Sequence, residues 1–375
     1  MIIGETNMTP GAAEFPFDQW YVAAFSYEIA ATPLARTLLG IPVVLYRTPD
    51  GAVVAMLDRC PHRGMPLSTG KVVEDRLRCP YHGLEFAPSG RCVRMPNDEK
   101  IPSAMKVETY PTVERWELIW IWLGDPQRAD PAMIPCHDDL GLTAPGFYSE
   151  AGVHVTTTAN YLLVFENYAD GAHIPQLHGI GADNNDYTWE HSDQRVRVTR
   201  WYEENVEPWH RKLFGLEWSD RRIRRSLEHI SYPPVVVSAR AELIDLSGRE
   251  PLVDFSQMLF LTPLNSGITH VFACVAGNVP VHQPDRWPGW EAGMRRADFE
   301  ILEEMQRLFD SLPPSKRREV SVRFDEPALY SRHIIADKIA AERRKDAEKS
   351  RPHGQGSARK DVPSSWRQQV DNEQR

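Results

Sequence analysis

Two Cys/His pairs near the front of the chain, Cys60-Pro61-His62 and Cys79-Pro80-Tyr81-His82, constrain its fold more than any other feature. Two thiolates and two imidazoles in such pairs can hold a two-iron, two-sulfide cluster. One iron takes the cysteines and the other the histidines, and neutral imidazole ligands raise the potential above that of an all-cysteine cluster. Such a cluster moves one electron at a time. Structural zinc also accepts Cys and His in tetrahedral array. Two features weigh against zinc. The first pair has a single intervening residue, whereas zinc knuckles usually have two or more. Both pairs also lie in loops punctuated by Pro and Gly, Cys60-Pro61-His62-Arg63-Gly64 and Cys79-Pro80-Tyr81-His82-Gly83. Two loops of this kind can close over a cluster from opposite sides and keep water off the sulfurs.

The pattern Cys-x-His, a short gap, then Cys-x-x-His resembles the Rieske family at all four positions. A chain of 375 residues is long enough for two domains. Its 42% hydrophobic content and eleven Trp point to a globular protein. The net charge of −9 disfavours a nucleic-acid partner, which needs concentrated Lys and Arg. It suits neutral or hydrophobic small substrates. Of five cysteines, Cys92, Cys136 and Cys274 remain after the pairs. They are too scattered for a disulfide framework, so a reducing compartment is expected. Cys92 reads as a small buried residue near the cluster, not as a ligand. The first residues lack the basic and apolar regions of a signal peptide. No run approaches the ~18–20 apolar residues of a membrane span. A soluble, cytoplasmic protein is the expectation.

Ile41–Tyr46 and Ala52–Leu57 flank Pro49-Asp50-Gly51, a hairpin signal. Leu84–Phe86 with Arg91–Val93, and Thr112–Arg115 with Leu118–Leu123, read as further pairs. The expectation is an all-β domain over 15–125 with the cluster loops at its tip, then a proline-rich linker over 126–146. In a second domain over 147–345, Val153–Thr157, Arg195–Tyr202, Val235–Ile244, Val253–Leu261 and Thr269–Val275 read as strands of a curved antiparallel sheet. Helices are predicted over Tyr161–Ala172, Trp287–Leu312 and Pro327–Arg344. The segment 346–375 is charged and nearly devoid of apolar residues, and reads as a disordered or loosely attached tail.

A second constellation runs from Phe165 through Asn167, Asp170 and His173 to His178. Two histidines and a carboxylate on one face are the ligand set of oxygen-activating non-haem Fe(II). Residues i and i+5 of a regular helix lie about 140° apart, at ~100° per residue, and do not chelate one ion easily. Gly171 and Pro175 would interrupt the helix and let His173 and His178 converge. Asp170 and His173 share a face, so Asp170 can accept the far ring N–H of His173 and fix its tautomer. The third ligand must come from elsewhere. Asp298, Glu300, Glu303 and Glu304 are candidates, and periodicity favours Asp298. It lies on the stripe of Ile301, Leu302, Met305, Leu308 and Phe309, where an unpaired carboxylate would be costly. His137, His154, His191, His210, His229, His270, His282, His333 and His353 show no ligand spacing.

The two motifs together resemble the large oxygenase subunit of Rieske non-haem iron oxygenases, over about Phe15–Arg344. The resemblance implies an α+β architecture: an N-terminal all-β Rieske [2Fe–2S] domain and a C-terminal helix-grip (START-like) catalytic domain with an antiparallel sheet. It carries Cys60, His62, Cys79 and His82 over as cluster ligands, and His173, His178 and Asp298 as ligands of mononuclear Fe(II). Asp170 matches the acid that bridges iron to the cluster of a neighbouring subunit, and Asn167 a polar residue near the open iron face. The opening from Phe15 to Ala23 and the Phe165–Tyr168 context look most like the vanillate O-demethylase type, which implies a homotrimer. A separate NAD(P)H-dependent reductase or ferredoxin would supply electrons. An aromatic substrate would be hydroxylated with O₂, most simply at an O- or N-alkyl group, which then leaves as an aldehyde. Ring cis-dihydroxylation would use the same ligands. A bare Rieske electron carrier predicts a shorter chain or a membrane anchor and nothing like residues 165–178.

Overall fold

The computed structural model describes residues 2–7, 15–96, 100–135, 148–178, 187–205, 222–246, 251–278 and 298–349. The first strand, β1 (Ile2–Asn7), pairs far along the chain with β20 (Arg318–Val322). The front half is all-β. β2 (Trp20–Phe25), β11 (Thr112–Arg115) and β12 (Leu118–Trp122) make a three-stranded sheet in the order β11-β12-β2. β3 (Leu34–Leu38), β4 (Ile41–Arg47), β5 (Val53–Leu57) and β10 (Thr109–Tyr110) make a second sheet, with β4 and β5 joined at the predicted Pro-Asp-Gly turn. A third, short sheet carries the tip: β6 (Lys71–Val73), β7 (Arg76–Arg78), β8 (Glu85–Phe86) and β9 (Cys92–Arg94), in that order. The linker contains two short turns, Pro126–Arg128 and Pro131–Met133. Asp125 and Asp130 cap them by accepting from the Gln127 and Ala132 amides.

The back half is one seven-stranded antiparallel sheet in the order β13-β19-β18-β17-β16-β15-β14. Its strands are β13 (Tyr148–Thr157), β14 (Tyr187–His191), β15 (Val196–Asn205), β16 (Arg222–Tyr232), β17 (Val236–Asp245), β18 (Pro251–Pro263) and β19 (Thr269–Gly277). Helices α1 (Tyr161–Asp170), α2 (Ile174–His178), α3 (Glu300–Ser311) and α4 (Glu326–Lys349) complete it. Val164 and Phe165 of α1 lie in one core with Val237, Leu259, Leu261 and Val271 of the sheet, so the sheet grips α1. α4 covers β15 through Ile334, which clusters with Val196 and Val198. The predicted helix Trp287–Leu312 ends near its expected end, and its first half lies outside the described residues. α4 runs to Lys349, past the expected start of the tail at residue 346. The remainder of the tail lies outside the described residues. No described helix is long and apolar enough to cross a membrane.

The two halves share a core. Trp20, Trp120, Trp122 and Phe25 cluster with Val236, Met258, Phe260 and Phe272 of the large sheet. Trp120 meets Phe260 edge-on at 5.5 Å and Phe25 meets Phe272 at 5.7 Å. Edge-to-face aromatic pairs favour defined geometry, so this seam fixes the halves relative to each other. Polar contacts reinforce it. Lys338 of α4 donates to Gln19 Oε1 (2.7 Å) and to the Pro233 carbonyl (2.8 Å), and Glu342 accepts from the Phe17 and Asp18 amides.

Two candidate metal centres

The cluster loops share one backbone plan. In the first, the Cys60 amide donates to the Met65 carbonyl (2.8 Å) and the Gly64 amide to the Cys60 carbonyl (2.9 Å). In the second, Cys79 donates to Leu84 (2.8 Å) and Gly83 to Cys79 (3.1 Å). Gly64 and Gly83 adopt φ of +75° and +72°, where a side chain would be strained. The tight loops bury Cys60 and Cys79 to 1% exposure and leave His62 and His82 exposed. The histidine rings meet edge-on at 4.6 Å. Burial pushes the Cys60 thiol up to about 11; the His62 and Arg63 amides oppose that shift, and nearby Cys79 adds to it. Such a thiol keeps its proton at neutral pH until a metal displaces it. Two adjacent buried sulfurs beneath two converging imidazoles fit a two-Cys, two-His iron–sulfur cluster.

The second centre forms where α1 stops. Asn160 caps its start, accepting from the Leu162 amide, and Gly171 ends it in the left-handed conformation at φ +58°. A side chain at Gly171 has no room: an added Cβ would lie 2.5 Å from Cε1 of His229. The corner turns the chain into α2, so His173 and His178 reach one point, as the interruption by Gly171 and Pro175 predicts. Asp298 meets them from the start of α3. Its Oδ1 lies 3.3 Å from His178 Nε2 and 3.9 Å from His173 Nε2. One ligand atom from each of the three lies within 4.8 Å of the others. Two imidazoles and one carboxylate fit the facial set of non-haem iron.

The surrounding groups orient this set. Asp170 Oδ1 lies 3.2 Å from His173 Nδ1, which sends the Nε2 lone pair toward Asp298. The same oxygen accepts from the Ala172 and His173 amides. Burial alone would raise the Asp170 carboxyl, but the bonds from His173 and these amides outweigh it and hold it below its usual range. Tyr168 donates to Asp298 Oδ2 at 3.3 Å. Asn167, Asp170 and His173 line one side of a cavity of about 580 Å³. Among the described residues, Asn167 Oδ1 is buried without a hydrogen-bond partner. All the residues predicted for each centre are therefore brought together, with Asn167 at the rim.

The supporting groups on the sheet escape a sequence reading. Arg200 is 2% exposed and donates through Nη2 to the Asp170 carbonyl (2.9 Å) at the end of α1. His229 lies against Gly171, and burial, then Arg200, lowers its pKa to about 3. For Arg200 the signal is period-two alternation: Val196, Val198, Arg200 and Tyr202 are the buried positions of β15. The helical stripe used to choose Asp298 also needs correction. Leu302 and Gln306 are buried, but Ile301, Met305 and Leu308 are 39%, 46% and 54% exposed. Asp298 and Phe299 form a wider π-type turn ahead of α3, so 100° periodicity does not extend to Asp298.

Known proteins share both halves. A Rieske [2Fe–2S] domain matches residues 19–111, and a vanillate O-demethylase oxygenase C-terminal domain matches residues 157–341. The oxygenase component of dicamba O-demethylase from Stenotrophomonas maltophilia is 45% identical over 45% of this chain and 49% of its own length. The vanillate O-demethylase oxygenase subunit of Pseudomonas sp. (strain HR199 / DSM 7063) is 28% identical over 88% of this chain and 96% of its own. The stretches matched to the first curated relatives span about half of those proteins' lengths. The crystal structure of dicamba monooxygenase bound to 3,6-dichlorosalicylic acid superposes with a TM-score of 0.80 at 28% identity, covering 89% of this chain and 100% of that one. A dicamba monooxygenase structure with non-haem iron and dicamba gives a TM-score of 0.77.

Proposed function

The chain belongs to the Rieske non-haem iron oxygenases, with a Rieske [2Fe–2S] domain followed by a vanillate O-demethylase-type C-terminal domain, and from that premise we propose that it is the terminal oxygenase of a multicomponent system that removes an O- or N-alkyl group from an aromatic substrate. The observation that carries the reading is the meeting of His173, His178 and Asp298 beside Asp170, in a chain that also pairs Cys60 with Cys79 and His62 with His82. The relatives' names support dealkylation over ring dihydroxylation, since dicamba and vanillate O-demethylases and a chloroacetanilide N-alkylformylase are among them.

In this reading Cys60, His62, Cys79 and His82 hold the cluster, and His173, His178 and Asp298 hold iron. When bound, the cluster supplies single electrons and the iron supplies O₂ activation. Asp170 holds the His173 ring in one tautomer by accepting its Nδ1–H, and Tyr168 holds the Asp298 carboxylate by donating to Oδ2. Arg200 and His229 hold the corner that carries both histidines. Asn167 presents an unsatisfied acceptor at the rim, suited to ordering water or substrate there. The first domain runs over 15–125, the linker over 126–146, and the second domain from 147 to the end of α4 at Lys349. A head-to-tail homotrimer places the exposed His62 and His82 of one subunit beside Asp170 of the next, in a closed heterologous ring. A reductase or ferredoxin reduces the assembly.

Product analysis tests the proposal. The holoenzyme, a surrogate reductase and NADH are incubated with methoxy-, N-methyl- and unsubstituted aromatics. Release of formaldehyde with one labelled oxygen from ¹⁸O₂ is the expected result. A cis-dihydrodiol as the main product would replace the reading with ring dihydroxylation.

A further inference from the structure

The short sheet behind the second cluster loop has a buried acid at its centre. Glu85 opens β8 with 1% exposure. Register sets Arg78 of β7 opposite it on one side and Arg94 of β9 on the other. Glu85 Oε1 accepts from Arg78 Nε at 2.8 Å and from Arg94 Nη1 at 2.8 Å. Arg76 Nη1 lies 3.2 Å from Oε2, but Arg76 also pairs with exposed Glu74. Among the described residues, Arg78 and Arg94 answer to Glu85 alone. Arg78 immediately precedes Cys79, and Glu85 immediately follows Leu84. The pair therefore closes the neck of the loop that carries Cys79 and His82. The first loop is closed differently: the Asp58 carboxylate accepts from the Ser68 amide (2.7 Å) and hydroxyl (2.6 Å), and among the described residues no cation pairs with it, although the Arg59 guanidinium lies against Gly64.

We propose that Glu85 is a positioning residue for the cluster: through Arg78 and Arg94 it clamps the neck of the second loop, fixes the charge at the base of the loop that carries His82, and so sets the cluster's reduction potential. The inference rests on the cluster assignment above. Uptake of one electron adds one negative charge to the cluster. A fixed positive charge nearby favours the reduced state, and a fixed negative charge disfavours it. Burial would raise the Glu85 carboxyl, yet the Arg94, Arg78 and Arg76 guanidiniums outweigh it and keep it below its ordinary range, so the acid is ionised where it sits. Its charge and those of its two arginines oppose each other, and changing either side moves the potential in a known direction.

The test is a redox titration of the holoprotein followed by electron paramagnetic resonance, at fixed pH and ionic strength. Arg94→Gln is expected to shift the midpoint potential negative, Glu85→Gln to shift it positive, and Arg94→Lys to restore the wild-type value, all with unchanged g-values. Arg94 is 54% exposed, so its variants should fold even if Glu85→Gln does not. An unmoved potential in Arg94→Gln would overturn the inference. So would a shift that comes with altered g-values and persists in Arg94→Lys, because that pattern marks a distorted loop. A wild-type protein that takes up no cluster, and stays colourless, removes the premise itself and is told apart at a glance.

Discussion

The two candidate metal centres are built on opposite plans. The cluster ligands lie between Cys60 and His82, on two loops with the same internal hydrogen bonds and the same left-handed glycine. Each loop shapes itself, and the frame beneath needs only to hold two necks apart. The iron candidates come from a helix corner at His173 and His178 and from Asp298, with most of the seven-stranded sheet in between. That centre exists only once α1 and α3 have packed, and it leans on Tyr168, Asp170, Arg200 and His229. A self-shaped loop writes its chemistry into adjacent residues, whereas an assembled site distributes it.

The sharpest way to break this comparison is to remove one ligand from each centre. Cys79→Ser should lose the visible absorbance of the cluster and all turnover, while ferrous-ion binding at the second centre stays. Asp298→Ala should do the reverse, keeping the cluster spectrum and losing the mononuclear iron by metal analysis. Loss of both metals in either variant would mean that the centres are not independently built.

Asp170→Asn probes the link proposed between them. The amide keeps the corner's shape but removes the charge that steadies His173. Both metals should remain bound while turnover falls by roughly 100-fold, the upper end for groups that orient ligands. Full activity would take Asp170 out of the bridge.

Legibility in the sequence follows the same division. The cluster loops and the β4–β5 hairpin could be read because Pro, Gly and Asp fix the turns locally. β16 was missed: Arg222, Arg224, Glu228 and their neighbours face out, while Arg225 and His229 sit among its buried positions, so apolar alternation is broken on the inner face too. Asp298 was reached by a periodicity that its own turn interrupts. What marks it in the structure is its burial: it is 6% exposed and has the two histidines beside it. Alternation along β15 places Arg200 on the inner face, but its role, like that of His229, could not be read, because their partners at Asp170 and Gly171 are tertiary neighbours.

The polar chain that crosses the seam includes neither centre, and acid should weaken it. His270 Nε2 donates to the Thr37 carbonyl (3.0 Å), and its Nδ1 faces His154 Nε2 (3.0 Å). His154 Nδ1 faces Arg36, which pairs with Glu28. The chain is satisfied only when both imidazoles are neutral. Burial, then Arg36 and His270, lowers His154 to about 3, and burial lowers His270 as well. The unfolded state takes up protons near pH 6.5 and the folded state does not. Stability is therefore complete above that pH and declines as pH falls toward 3. At pH 5 the loss from His154 is about 2 kcal/mol, at 1.36 kcal/mol per unit. Urea unfolding at pH 7 and pH 5 checks it, and His154→Phe should reduce the dependence by about that amount, leaving the part due to His270 and His229.

The smallest effect separates the two loop necks. Ser68→Ala removes the hydroxyl bond to Asp58 but leaves the Ser68 amide bond in place. It should cost about 1 kcal/mol in urea unfolding of the metal-free protein. Arg94→Gln removes one charge-assisted bond to buried Glu85 but leaves those from Arg78 and Arg76, so its cost should be similar. If the potential nevertheless moves only in Arg94→Gln, the first neck acts by shape and the second by charge. Equal shifts in both variants would show that the potential follows loop geometry, and the difference between the two closures would carry no electrostatic meaning.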